Sequence, residues 1–256
     1  SATAINTAYK PGVDATRLLL SVGELSGIEL VEVVGYGDDG KPQWDRSAVL
    51  GRASTVVWDF EWALLGGKLA ERWIAGGSAQ GELGPIGVRA EGHVGLSDAD
   101  GDGELDDAGV GRDEVHGRLA AGADIPFEWH NARVAAEYSF VSDGGSAPGE
   151  YVERAGRLLP DDQPFLGRHY AGASVSGEII PILVASVMGL VNLEDGSGLA
   201  GLSLIYSVAD EADLVAGAQL PWGRRPTADA SPLGATPQSE LGLWPASVFA
   251  ESRIYF

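Results

Sequence analysis

The segment Ser247-Val-Phe-Ala-Glu-Ser-Arg-Ile-Tyr-Phe256 closes the sequence and alternates between two kinds of side chain. If this segment forms a strand, one face of the strand is largely apolar and carries Val248, Ala250, Ser252, Ile254 and Phe256. The opposite face carries Phe249, Glu251, Arg253 and Tyr255. Because successive side chains of a strand point to opposite faces, the alternation predicts a strand that separates an apolar environment from a polar one.

Composition excludes several classes of function for this chain of 256 residues. Lys and Arg total 17 against 37 Asp and Glu, a formal net charge of −20. A nucleic-acid partner is not expected, because such a partner is bound by clustered positive charge. The chain has no cysteine, which excludes disulfides, thiolate metal sites and cysteine catalysis.

The hydropathy pattern does not contain a membrane-spanning helix. No apolar run reaches the roughly 18 residues that such a helix needs, and the longest run, residues 179–191, is interrupted by Pro181, Ser186 and Gly189. A β-barrel can still cross a membrane with this composition, because only every second residue of its strands meets lipid.

Strand-like segments recur along the whole chain, and long stretches of helical periodicity do not. Thirteen strands are predicted, at residues 15–23, 28–36, 47–55, 59–67, 71–80, 86–96, 114–125, 131–141, 167–177, 182–192, 199–208, 212–221 and 246–256. One set of connections is short, at residues 24–27, 81–85, 126–130, 178–181 and 209–211. The intervening connections are often long and polar, at residues 37–46, 97–113, 142–166 and 222–245. Outer-membrane barrels sort their loops in this way, with short periplasmic turns and longer extracellular loops.

The fold predicted from these patterns is an all-β, transmembrane, antiparallel up-and-down β-barrel. Residues 1–256 form one barrel domain in this interpretation. Bacterial single-chain barrels have an even number of strands. The odd count of thirteen therefore predicts either one further strand within the chain or a 14–18-stranded barrel whose N-terminal strands are missing from the sequence. A soluble β-sandwich or propeller is the alternative fold.

The face opposite the apolar one carries charged side chains, which a water-filled lumen would solvate. We predict that this face lines a pore, with the residues Arg89, Glu91, Arg118, Arg133, Glu137, Arg168 and Arg253. Rings of mixed charge select solutes in such pores. In the alternative, these charges pair and plug the lumen. The four histidines lack metal-ligand spacing and are expected to line the lumen.

An acidic loop follows the predicted strand 86–96. It matches several positions of a calcium-binding loop through the residues Asp98, Asp100, Asp102, Glu104 and Asp106, with a glycine where that loop turns sharply. Position 12, normally a bidentate Glu, is Gly109, and no helices flank the loop. The sequence therefore predicts that the loop 98–107 binds Ca²⁺, with a solvated acidic loop as the alternative and no other cofactor.

Several segments resemble proteobacterial porin-like outer-membrane proteins: residues 6–15 (NTAYKPGVDA), 167–170 (GRHY), 191–198 (VNLEDGSG), 203–207 (SLIYS), 217–221 (GAQLP) and 239–245 (SELGLWP). The last ten residues are also similar to the final strand of Gram-negative barrels, where Tyr255 and Phe256 would form the assembly signal. The resemblance implies a Gram-negative outer-membrane location and passive diffusion of small hydrophilic solutes. It also implies contact with lipid, lipopolysaccharide and the barrel-assembly machinery, and leaves room for an oligomer or a larger envelope complex.

Two further interpretations remain open at the level of sequence. A barrel enzyme needs a paired Ser and His, and no motif places them together, so the chain is not expected to be an enzyme. A structural barrel that anchors or forms part of an envelope-spanning complex is the alternative function. A soluble calcium-binding β-sandwich is the remaining possibility.

Overall fold

The computed structural model describes residues 14–70, 72–97, 115–157, 165–228 and 235–255. These residues belong to two compact units. The first unit comprises Ser1–Gly77 and His93–Val115, and the second comprises Ser78–Gly92 and His116–Phe256. Among the described helices, none has the length and apolar character needed to cross a membrane.

Strands make up most of the described chain. They are β1 (Ala15–Val22), β2 (Ser26–Val33), β3 (Ala48–Val57), β4 (Phe60–Leu69), β5 (Arg72–Leu83), β6 (Ile86–Ser97), β7 (Val115–Phe127), β8 (Ala132–Val141), β9 (His169–Ile180), β10 (Leu183–Asn192), β11 (Gly198–Ala209), β12 (Ala212–Trp222), β13 (Thr227–Ala228), β14 (Ala235–Thr236) and β15 (Ser247–Ile254). One α-helix, α1 (Tyr151–Arg157), and the 3₁₀ turns Trp129–Asn131, Pro148–Glu150 and Leu241–Leu243 lie between strands.

Thirteen of these strands form one antiparallel up-and-down sheet, in the order β1 to β12 followed by β15. The predicted strand number and fold class are therefore confirmed for the described residues. In that sheet β1 and β15 are the end strands, so the described strands do not close on each other. The short strands β13 and β14, which pair with each other, are not predicted from the sequence.

The connections of the described residues follow the predicted alternation. The predicted short turns are short, and one of them turns at Gly84 with a φ of +63°, a left-handed conformation that favours glycine. Of the connections at the other strand ends, β4 ends at Leu69 and β5 begins at Arg72, while only residues 193–197 join β10 to β11. These two connections match the short intervals, residues 68–70 and 193–198, between the predicted strands.

In the first unit, one sheet face holds paired charges. Arg17 Nε lies 2.5 Å from Glu29 Oε1, and Arg52 Nη2 lies 2.5 Å from Glu61 Oε1. Glu29 is directly opposite Arg52 across β2 and β3, so the two pairs share a face. This cluster is absent from the predicted pore-lining set.

In the second unit, a row of apolar residues crosses seven strands in direct cross-strand register. Its members are Ile125, Val134, Val175, Val187, Leu202, Ala218 and Val248. Val187 remains 53% exposed and Val248 83% exposed. An exposed apolar band of this width is costly in water and favourable against lipid.

The neighbouring residue in each of these strands points to the opposite face, and together these residues form a second, more polar row. It runs through Pro126, Arg133, Ser176, Ser186, Ser203, Gly217 and Phe249. The Phe249 ring packs over Gly217, where an added Cβ would lie 2.5 Å from Phe249 Cζ. The alternation first seen in the last strand thus extends across the second unit, and we call the two surfaces its apolar face and its polar face.

Candidate functional site

The polar face of the second unit carries a continuous chain of ion pairs. Arg133 Nη2 lies 2.7 Å from Asp124 Oδ2, and Asp124 Oδ1 lies 3.6 Å from Arg89 Nη1. Arg89 Nη2 then donates to Glu137 Oε2 at 2.8 Å. Strands β6, β7 and β8 each contribute to this chain, so three adjacent strands present alternating charge along one surface.

A glycine on β7 leaves space beside the central guanidinium group, that of Arg89. Gly122 lies beside Arg89, and an added Cβ would be 3.4 Å from Arg89 Cζ and Nη2. A cavity of about 110 Å³ adjoins the ion pairs, and its walls include Ser78, Gln80 and Glu91. The charges therefore border a polar space that water can enter.

Most of the predicted pore-lining residues lie on this polar face. Arg89, Arg133 and Glu137 form the ion-pair chain, and Glu91 lines the adjoining cavity. Arg118 and Asp124 are an even number of residues apart on β7, so their side chains lie on the same face. Arg253 binds Glu251, with Nε 3.0 Å from Oε1. That these residues line a pore stays a prediction.

Arg168 does not belong to the strand surface, contrary to the prediction. Strand β9 begins at His169, and the preceding Gly167 forms a bridge with Gly145. Arg168 Nε donates to the Gly144 carbonyl at 3.3 Å. The residue lies at the end of the long β8–β9 connection, where its carbonyl accepts from Val141 N at 2.9 Å.

The expectation that all four histidines line a lumen is also wrong for His169. This residue is directly opposite Phe140 and therefore lies on the apolar face of β8 and β9. Its ring centroid is 5.1 Å from that of Phe140, and its Nδ1 is 2.5 Å from Tyr138 Oη. His130 lies in the short β7–β8 turn with a φ of 55°.

Near the ends of β9 and β10, a buried carboxylate joins these two strands to two connections. Glu240 is 2% exposed. Its Oε1 accepts from Leu166 N at 2.7 Å, while its Oε2 accepts from Tyr170 Oη at 2.5 Å and from Asn192 Nδ2 at 2.6 Å. The donors come from the β8–β9 connection, from β9 and from β10, and Glu240 itself lies between β12 and β15.

A second carboxylate continues this network. Asp195 Oδ2 accepts from Glu240 N at 2.8 Å and from Tyr151 Oη at 3.0 Å, and its Oδ1 accepts from Ser197 N at 2.7 Å. Burial and the hydrogen bond to Asp195 raise the pKa of the Tyr151 hydroxyl, which therefore stays protonated as a donor. We call Glu240, Asp195 and their partners the loop network.

Helix α1 is attached to the same region by a further ion pair. Arg154 is buried, and its Nη1 donates to Asp143 Oδ2. Just before the helix, Ser146 N donates to Glu150 Oε2 at 2.6 Å, and this hydrogen bond lowers the pKa of the Glu150 carboxyl. Buried hydrogen bonds of this density hold the three connections in one arrangement.

Sequence reasoning does not find the loop network. Its partners are far apart in the chain, as in the bond between Tyr170 and Glu240, which are separated by 70 residues. The loop members of the network are polar residues of a kind common in exposed loops, and Tyr170 and Asn192 are ordinary strand-end residues. No local sequence pattern therefore marks them as buried partners. Part of the network lies inside the segments 191–198 and 239–245 that carry the family resemblance.

The predicted calcium ligands lie outside the described residues. These ligands are Asp98, Asp100, Asp102, Glu104 and Asp106. In the part of the chain that the structure describes, no group of three or more His, Asp or Glu side chains is arranged to hold a metal ion. Calcium binding by the acidic loop therefore stays a prediction.

The predicted assembly signal is described only in part. Tyr255 follows the end of β15, where its N donates to Glu211 O at 2.9 Å and its Oη to Asp213 Oδ2 at 3.3 Å. Phe256 lies outside the described residues. Recognition of these two residues by the barrel-assembly machinery stays a prediction.

Comparison with known proteins identifies a similar fold. No family model matches the chain, and no curated protein matches it. A solved structure described as outer-membrane expressed OmpT of Vibrio cholerae is similar, with a TM-score of 0.53 and 10% sequence identity. The similarity covers 94% of this chain and 80% of that one. At this identity the likeness shows the fold alone.

The same comparison corrects the prediction that the chain is not an enzyme. That prediction treated the missing Ser–His motif as an exclusion of catalysis. The likeness to an OmpT overturns the exclusion, because a shared barrel fold carries many functions and excludes none of them. The likeness assigns no activity either.

The sheet order, the exposed apolar row and the similar solved structure agree with one another. Thirteen antiparallel strands in sequence order, with an apolar face and a polar face across seven strands of the second unit, are the pattern of a membrane-spanning barrel wall. The chain therefore has the fold of an outer-membrane β-barrel protein.

Proposed function

We propose that this protein is a channel for the passive diffusion of small hydrophilic solutes across the outer membrane of a Gram-negative bacterium. The observation that carries the proposal is the contrast between the two faces of the second unit. Its apolar row includes Val187 and Val248, and its polar row includes Arg133, Ser176 and Ser203. If lipid and lipopolysaccharide surround the apolar face, the polar face is left to meet water.

The exposure of the ion pairs supports an open passage over a plugged lumen. The side chains of Arg89, Glu137 and Arg133 are 47%, 48% and 61% exposed, and Asp124, which lies between the two arginines, is 12% exposed. Charges packed into a plug would be buried, and burial without full hydrogen bonding costs several kcal/mol per ion. Partly solvated pairs instead place mixed charge along a wall that passing solutes can approach.

The loop network, which joins the ends of β9 and β10 to the neighbouring connections, also supports the proposed channel. A diffusion channel needs a wall and a rim that stay in place, because a mobile loop would open and close the entrance. Glu240 and Asp195 hold three connections together through buried hydrogen bonds. A structural barrel within an envelope complex is the competing function.

Planar-bilayer recording separates the channel from the structural barrel. Purified protein, checked for folding by its heat-dependent shift in gel mobility, is added to a bilayer bathed in KCl. We expect stepwise current increments, because each inserted molecule opens one water-filled path. Reproducibly silent insertion of correctly folded protein would contradict the proposal and favour the structural barrel.

A further inference from the structure

The polar face of the second unit carries more carboxylates than guanidinium groups. Its carboxylates are Glu91, Asp124, Glu137, Glu178, Asp213 and Glu251. Its guanidinium groups are those of Arg89, Arg118, Arg133 and Arg253. Among the described residues of this face, these six carboxylates outnumber the four guanidinium groups, and the excess has the sign of the net charge of −20 of the whole chain.

The positive charges on this face are largely engaged by neighbouring carboxylates. Arg89 binds Glu137 and faces Asp124, and Arg133 binds Asp124. Arg253 binds Glu251 at the far end of the sheet. A guanidinium group that already donates to a carboxylate offers little to a passing anion, since its field is neutralised at short range.

Two carboxylates are available to a mobile cation. Glu91 lines the cavity beside Arg89. Asp213 accepts hydrogen bonds from two neutral hydroxyls, Ser207 Oγ at 2.8 Å and Tyr255 Oη at 3.3 Å, and its cross-strand neighbour Arg253 is bonded to Glu251. Neutral donors stabilise the charged carboxylate without cancelling its charge.

From this balance we infer that the channel proposed above passes small cations and neutral solutes in preference to anions. The inference rests on the proposed function, since it concerns the same polar face. Carboxylates along a low-dielectric wall raise the local concentration of cations and lower that of anions. Inorganic salt is a sufficient probe of this property.

The test is the reversal potential of the protein in a planar bilayer with a KCl gradient at neutral pH. We expect K⁺ to permeate several-fold more readily than Cl⁻. An open channel with no preference, or with a preference for Cl⁻, would overturn the inference and leave the proposed function standing. A silent but folded barrel would overturn the proposed function itself, and the inference with it.

Paired substitutions assign the selectivity to the polar face. The double variant Glu91→Gln and Asp213→Asn removes two negative charges with little change in volume, and we expect it to lower the K⁺ to Cl⁻ permeability ratio toward one. Asp59→Asn is the matched control, because Asp59 is exposed in the short β3–β4 turn, and its ratio should match that of the unmodified chain. An unchanged ratio in the double variant, or an equal fall in the control, would refute the assignment to this face.

Discussion

Replacing Glu240 with alanine is expected to detach the β12–β15 connection from the β8–β9 connection and from the ends of β9 and β10. We expect the free energy of unfolding to fall by about 3 kcal/mol. The variant removes the acceptor of Leu166 N, Tyr170 Oη and Asn192 Nδ2. Each buried donor left without a partner costs roughly 1–3 kcal/mol, less whatever entering water restores. Urea unfolding in lipid vesicles, followed by tryptophan fluorescence, measures the loss.

Hydrogen exchange locates the same effect along the chain. In Glu240→Ala we expect faster exchange at residues 142–151, 193–197 and 235–246, and unchanged exchange in the middle of β10 and β11. Glu211→Ala serves as control, since Glu211 is exposed in the short β11–β12 turn and lies outside the loop network. Faster exchange confined to the β12–β15 connection would show that Glu240 does not hold the other connections.

Replacing Arg89 with glutamine is expected to change the K⁺ to Cl⁻ permeability ratio more than any other single substitution on the polar face. Glu137 loses its ion-pair partner, and Asp124 retains only Arg133. The wall then has one further uncompensated negative charge beside the cavity lined by Glu91. We expect the K⁺ to Cl⁻ permeability ratio to rise several-fold, measured from the reversal potential in a KCl gradient.

A loop arginine provides the control for this substitution. Arg46 binds Asp38 with Nη1 3.0 Å from Oδ1 in the β2–β3 connection, so Arg46→Gln also breaks one ion pair but leaves the polar face of the second unit unchanged. Its permeability ratio should equal that of the unmodified chain. If Arg89→Gln conducted like the unmodified protein, the ion-pair chain would lie off the conduction path.

The sheet is predictable from sequence because its two faces meet different environments. Alternation in the last strand assigns Val248 and Ala250 to one face and Phe249 and Glu251 to the other, and the register with β12 confirms that assignment. The same local rule applies to each strand in turn. Strand number follows from the pattern for this reason, without knowledge of any long-range contact.

The predictions from sequence are wrong or incomplete where contacts between distant residues, which the alternation of side chains does not encode, determine the structure. Arg168 is polar and two residues before Tyr170, so alternation alone assigns it to a strand, whereas β9 begins at His169 and the preceding Gly167 pairs with Gly145. The loop network depends on pairs such as Asn192 and Glu240. Such pairs form only after the strands have brought their ends together, and no local sequence signal specifies them.

The most direct test of the central claim compares two adjacent positions on β11. The chain has no cysteine, so a single introduced thiol is the only reactive one. Ser203 lies in the polar row, and Leu202 lies in the apolar row, 43% exposed. In a bilayer recording, a small charged thiol reagent should react with Ser203→Cys and reduce the current, and it should leave Leu202→Cys unchanged because lipid covers that side chain. Modification of Leu202→Cys together with an inert Ser203→Cys would contradict the account, since the polar face would then not be the water-lined one.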